Sequence, residues 1–109
     1  MTDYGTLYAL ACHALGDFPL QTGHMAREKL DDATVRAKHV SVYTASMVPF
    51  ALATDWGATQ RCVFLVTIWG SHFVIDSGRW NDEVPIWFDQ ALHIIALAVS
   101  VALTEVVEE

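Results

Sequence analysis

Pro85–Val107 reads PIWFDQALHIIALAVSVALTEVV. Pro85 suits the first turn of a helix, where its missing N–H costs nothing. The apolar run that follows is far too long for one strand. It also meets the length of about 20 apolar residues that a membrane-crossing helix needs. Two ionisable side chains interrupt it, Asp89 and His93, four residues apart. That spacing puts both on one helix face, and exposing them to lipid would be costly.

Working outward, three more apolar segments lie upstream, at about Tyr4–Leu20, His39–Asp55 and Cys62–Asp76. Between the first two runs a polar stretch, Gln21–Lys38, with Arg27, Lys29, Arg36 and Lys38; a short helix near Met25–Lys29 is open there. Trp56–Arg61 and the turn-rich Ser77–Val84 form the other links. Length and the lack of alternation favour helix throughout. The expected fold is all-α, an up-down four-helix bundle in a single domain spanning 1–109, and transmembrane.

The chain has 109 residues, 53% of them hydrophobic and 17% charged. A soluble four-helix bundle is the alternative, but the composition is too apolar for a small one, which should show a polar stripe on every helix. Trp56, Trp80 and Trp87 fall at segment ends, where interfacial aromatics belong. Four basic residues lie in the first loop and Arg79 in the third, leaving Arg61 on the other side. The positive-inside rule then predicts a multi-pass protein of the cell membrane with both termini outside. The net charge of −7 argues against nucleic acid as a partner. Cys12 and Cys62 form no CxxC, and no cleaved signal peptide is expected after Met1-Thr2-Asp3. Assembly of identical chains stays open.

The informative residues are polar ones inside apolar runs. His13 and Asp17 are four apart, as are His72 and Asp76, and Asp89 and His93; His39 opens the second segment. In an up-down bundle these seven fall at one end, in a layer next to the loops Gln21–Lys38 and Ser77–Val84. Four imidazoles and three carboxylates at one depth predict a metal centre, with His13, Asp17, His39, His72, Asp76, Asp89 and His93 as ligands. A hydrogen-bonded polar network is the alternative. Mixed nitrogen and oxygen donors suit zinc first, then manganese or iron. Seven ligands exceed one tetrahedral ion, so two ions, or one with supporting residues, fit the number. Gln21, Lys29, Arg79 and Gln90 stand near this layer and are candidate contacts for an anionic substrate. Tyr43 and Ser46 follow His39 at helical spacing.

The run His13-Ala14-Leu15-Gly16-Asp17-Phe18-Pro19-Leu20-Gln21 matches an HxxGDFxxQ opening. Met25-Ala26 and Lys29 follow, then His39 with Tyr43, His72-Phe73 with Asp76, and Phe88-Asp89-Gln90 with His93. In that order they resemble domain of unknown function 3307, a family of small membrane proteins of bacteria, archaea and their viruses. The resemblance covers nearly the whole chain and implies several membrane spans; it implies no activity. A looser likeness, by pattern only, is to small membrane-bound metal-dependent hydrolases.

The expected function is a membrane-embedded, metal-dependent hydrolase. Its substrate would be a lipid-linked ester or phosphoester at the cytoplasmic interface, with the bilayer as its surroundings. Asp89 is the candidate general base. The alternative is a non-enzymatic membrane protein, either a channel or transporter subunit or a structural viral protein, in which the same residues form a metal staple or polar network.

Overall fold

Asp32 opens the longest helix. Its side chain accepts from the backbone N–H of Thr34 at 2.9 Å and of Val35 at 3.3 Å, satisfying two donors that the first turn leaves unpaired. The helix therefore begins at Ala33, six residues before His39, where the apolar segment was expected to start. Arg36 and Lys38 looked like loop residues by charge, but they ride on its first turns.

The computed structural model describes residues 5–17, 29, 31–77 and 86–107. Among them are four helices and no strand: α1 (Gly5–Asp17), α2 (Ala33–Ala53), α3 (Ala58–Ile75) and α4 (Ile86–Glu105). Consecutive helices pack together, α1 on α2, α2 on α3 and α3 on α4. The fold is the expected all-α four-helix arrangement. The short helix considered near Met25 lies outside the described residues, except Lys29, which sits in a turn.

Gly16 sets the approach of α1 to α2. A Cβ there would stand 2.3 Å from Ser46 Oγ and 2.9 Å from the Tyr43 ring. The missing side chain lets the Ser46 hydroxyl reach the Cys12 carbonyl at 3.1 Å. Small residues at such a seam are how helices pack closely without a hydrophobic driving force.

The end away from the His/Asp layer is a dry core. Phe50, Trp56 and Phe64 meet with ring centroids 5.1 to 5.7 Å apart, joined by Met47, Ile68 and Leu97. Trp56 is buried here at 3% exposure. It does not lie at a membrane interface as its segment-end position suggested, because the link between α2 and α3 folds inward onto Phe50. Trp87 is 70% exposed. Side chains cap this end. Arg61 donates to the carbonyls of Ala51 at 2.9 Å and Thr54 at 3.2 Å, and Gln60 Nε2 donates to Val107 O at 3.0 Å.

Polarity is inverted relative to a water-soluble bundle. Leu7, Leu52, Val66, Ile95 and Val106 are all at least 60% exposed, while His13, Asp17, His39, His72, Asp76 and His93 are nearly fully buried. One described helix, Trp87–Glu105, is long and apolar enough to cross a membrane. The four expected spans are not matched helix by helix. With 13 residues, α1 is about 20 Å long, short of a hydrocarbon core of about 30 Å. In α2 and α3 the Ser, Thr, His and basic residues dilute the apolar content.

Candidate metal centre

The end of α1, the first turns of α2, the end of α3 and the start of α4 meet in one buried layer. Asp17 is the last residue of α1, and His39 lies on the second turn of α2. His72 is on the last turn of α3, and Asp76 caps that helix, its backbone N–H bonding to His72 O at 3.0 Å. Residues 72 and 76 therefore project from one place, as their spacing required. His93 and Asp89 come from the first two turns of α4.

Four atoms of this layer form a compact group. His39 Nε2 is 3.2 Å from His72 Nε2, 3.2 Å from Asp17 Oδ1 and 3.1 Å from Asp76 Oδ2. His72 Nε2 is 3.5 Å from Asp17 Oδ1 and 3.0 Å from Asp76 Oδ2. A tetrahedral ion with bonds of about 2.0–2.1 Å has edges of about 3.3–3.4 Å between ligand atoms. Four of the five separations, 3.0 to 3.2 Å, fall a little short of that value and one, 3.5 Å, exceeds it. Asp76 Oδ2 is fully buried and accepts no hydrogen bond with proper geometry, although two imidazole nitrogens lie within 3.1 Å. Such closeness without hydrogen bonding is what a shared central ion explains. The residues fit one.

A second group adjoins the first. Asp17, Asp89 and His93 also offer ligand atoms within 4.8 Å of one another, so Asp17 belongs to both groups. His93 Nε2 lies 2.9 Å from Asp76 Oδ1 and 3.2 Å from Asp89 Oδ1. Gln90 Nε2 donates to Asp17 Oδ2 at 2.8 Å and reaches Asp89 Oδ2 at 3.1 Å. The His72 ring is held between Tyr43 and His93, with centroids 4.0 Å away on each side.

Lys29 is the cation of the layer. Its Nζ stands 3.3 Å from Asp76 Oδ2. Arg36 fixes the turn that carries it by donating to Lys29 O at 3.2 Å, and its guanidinium lies over the Phe73 ring at 4.4 Å. The Asp76 carboxyl is thus ringed by Lys29, His39, His72 and His93.

The family described as a protein of unknown function, DUF3307, matches residues 6–109. The chain belongs to this family. No curated protein and no solved structure matches it.

Within this DUF3307 chain the structure sorts the expected residues. It gathers Asp17, His39, His72, Asp76, Asp89 and His93. His13 is in the layer but in neither group; its Nδ1 meets the Tyr43 hydroxyl at 2.6 Å and its Nε2 meets Gln90 Oε1 at 2.9 Å. With both nitrogens engaged, it stands as a support for Gln90. Lys29 and Gln90, expected to contact substrate, touch the carboxylates themselves. Gln21 and Arg79 lie outside the described residues. Ser46 belongs to the α1–α2 packing. The reading from sequence missed the chain His13–Gln90–Asp17, which ties α1 to α4; the adjacency of Gln90 to Asp89 was its one signal.

Proposed function

We propose that this chain is a membrane-embedded, metal-dependent hydrolase that cleaves a lipid-linked ester or phosphoester at the cytoplasmic interface. The observation that carries this is the pair of adjoining groups, the quartet Asp17, His39, His72 and Asp76 and the three-member set Asp17, Asp89 and His93, which leaves a position open. Its donors suit zinc, with manganese or iron as alternatives. A bound divalent ion would supply an acidified water and polarise the scissile bond.

The chain's own residues divide the remaining work. Four protein ligands close a tetrahedral site, whereas three leave a position open. Asp17, Asp89 and His93 make the three-member set, which suits water and substrate better. The Asp89 side chain is 15% exposed, the most accessible of the three carboxylates, and serves as proton acceptor. Gln90 holds Asp17 and Asp89 in place, both amide N–H groups being committed to those carboxylates.

Charge balance admits an ion in the quartet. Asp17, Asp76 and Asp89 bring three carboxylates and Lys29 one ammonium. One divalent ion with neutral imidazoles would make the buried layer neutral, as two protonated imidazoles would without an ion. A further cation at the second group would leave excess positive charge, which the oxygens of a phosphoester would offset.

The inverted polarity supports the membrane setting and the multi-pass reading. The basic residues Arg27, Lys29, Arg36, Lys38 and Arg79 gather at the metal end in the chain order, and Arg61 is consumed in capping α2. That bias favours the site end in the cytoplasm and both termini outside.

One observation favours a second reading. The quartet is already complete with four protein ligands, as structural sites are, so its ion would pin α1, α2 and α3 without chemistry. Elemental analysis, joined to a screen of chromogenic esters and phosphoesters with and without chelator, separates the two. Chelator-sensitive hydrolysis supports the enzyme. Bound metal without hydrolysis supports the staple. Absence of metal sinks both.

A further inference from the structure

The three sequential helix pairs are packed together, but the seam between α4 and α1 holds a groove of about 290 Å³. On α1 its wall is Gly5, Ala9 and Leu10; on α4 it is Ile94, Ala98 and Val101; Phe50 of α2 lies behind. The walls are almost wholly apolar. Above it sits the His/Asp layer: Ala9 is one turn below His13, and Leu97 one turn below His93.

Gly5 lies eight residues before His13 and Val101 eight residues after His93. At about 1.5 Å per residue the groove therefore runs about 12 Å down from the site on both walls. The walls themselves, from Gly5 to Leu10 on α1 and from Ile94 to Val101 on α4, extend over about 8–11 Å at that rise, an apolar slot suited to a slender hydrocarbon chain. A helix, about 10 Å or more across, is far too wide to enter. At the top the seam is barred by Gln90, bonded to His13 and Asp17 of α1.

We infer that the α1–α4 groove binds the single hydrocarbon chain of a lipid whose anionic head lies at the His/Asp layer, entering sideways from the bilayer beneath the Gln90 bar. This rests on the hydrolase reading of the same layer and adds how the substrate is held. The groove's continuity with the layer ties the chain to the site. Its apolar walls end within a turn of His13 and His93, which sets the head beside Asp89 and His93.

The test uses detergent-purified protein loaded with Co²⁺, whose visible spectrum reports on ligands at the metal, titrated with methyl phosphate and octyl phosphate. Octyl phosphate should bind at least about tenfold more tightly, the scale expected when several methylenes leave water. Thr6→Phe and Ala98→Phe each place a ring in the groove from an exposed wall position. Both should erase the chain-length advantage while keeping cobalt content and the weak methyl phosphate response. Val66→Phe, on the outward face of α3, should keep the advantage. An advantage that survives both groove variants, or that is absent from the wild type, overturns the inference. So does conversion of a dimer to a monomer by the groove variants, which would assign the groove to a second copy. Protein that binds no cobalt marks failure of the metal reading alone. The groove is then read by an octyl phosphate bearing a terminal diazirine. Photolabelling concentrated on Leu10, Ile94 and Leu97, and lost in Ala98→Phe, sustains the inference; labelling spread over the outward faces ends it.

Discussion

His39 Nε2 and His72 Nε2 stand 3.2 Å apart, both fully buried, and each also lies within 3.5 Å of two carboxylate oxygens. A neutral imidazole has one N–H to give. Here each nitrogen faces three electron-rich neighbours, so protons alone leave contacts unsatisfied. One cation at the centre of the four satisfies all of them together.

His72→Ala and His39→Ala should therefore lose the ion, and His13→Ala should keep it, since both His13 nitrogens are engaged elsewhere. Elemental analysis of the three variants decides. Chelation should also lower the thermal midpoint, because an ion at about a thousand times its Kd is worth about 4 kcal/mol. Full occupancy in His72→Ala and His39→Ala alike would place the ion away from the quartet and leave those residues as a polar network.

The site was legible because its residues interrupt apolar runs at a spacing of four. Asp89 and His93 announced themselves in Pro85–Val107 by charge alone, and His72 with Asp76 by the same spacing. The distinction between His13 and the other histidines was not legible. His13 differs by facing Tyr43 and Gln90, and pairing across helices leaves no trace in local spacing. The start of α2 was hidden for a related reason: Arg36 and Lys38 mark a loop by charge, while Asp32 marks a helix start by capping. The inward turn of Trp56 was likewise invisible, since a Trp at a segment end reads the same whether it meets lipid headgroups or Phe50.

Two glycines should respond oppositely to alanine. Gly16→Ala drives a methyl into Ser46 and Tyr43 and should cost about 1–3 kcal/mol, as overpacking does. It should also weaken metal binding, because α1 carries Asp17 one residue on. Gly70→Ala meets nothing within 4 Å and should gain up to about 1 kcal/mol of helix propensity. Thermal denaturation with metal analysis measures both. Equal effects would mean that α1 and α2 are not in close contact.

The outward leucines, valines and isoleucines predict that the protein leaves the membrane fraction only with detergent. High-speed centrifugation of a detergent-free lysate reads the outcome. Protein remaining in the supernatant without a fusion or partner would identify a soluble bundle.

Single cysteines at Asp32 and Asn81, in a background lacking Cys12 and Cys62, should both be shielded from an impermeant thiol reagent in intact cells and reactive after permeabilisation. Labelling of one but not the other from outside would put the two loops on opposite faces. A bilayer core of about 30 Å would then separate ligands that a single ion must hold at about 2 Å.

The rings of Phe50, Trp56 and Phe64 lie across the bundle beneath the buried histidines. Trp56 is 3% exposed there, Phe50 2% and Phe64 0%. The polar layer thus has an aromatic floor, and on the hydrolase reading its chemistry faces one end of the bundle, the end that carries Asp17, His39, His72 and Asp89.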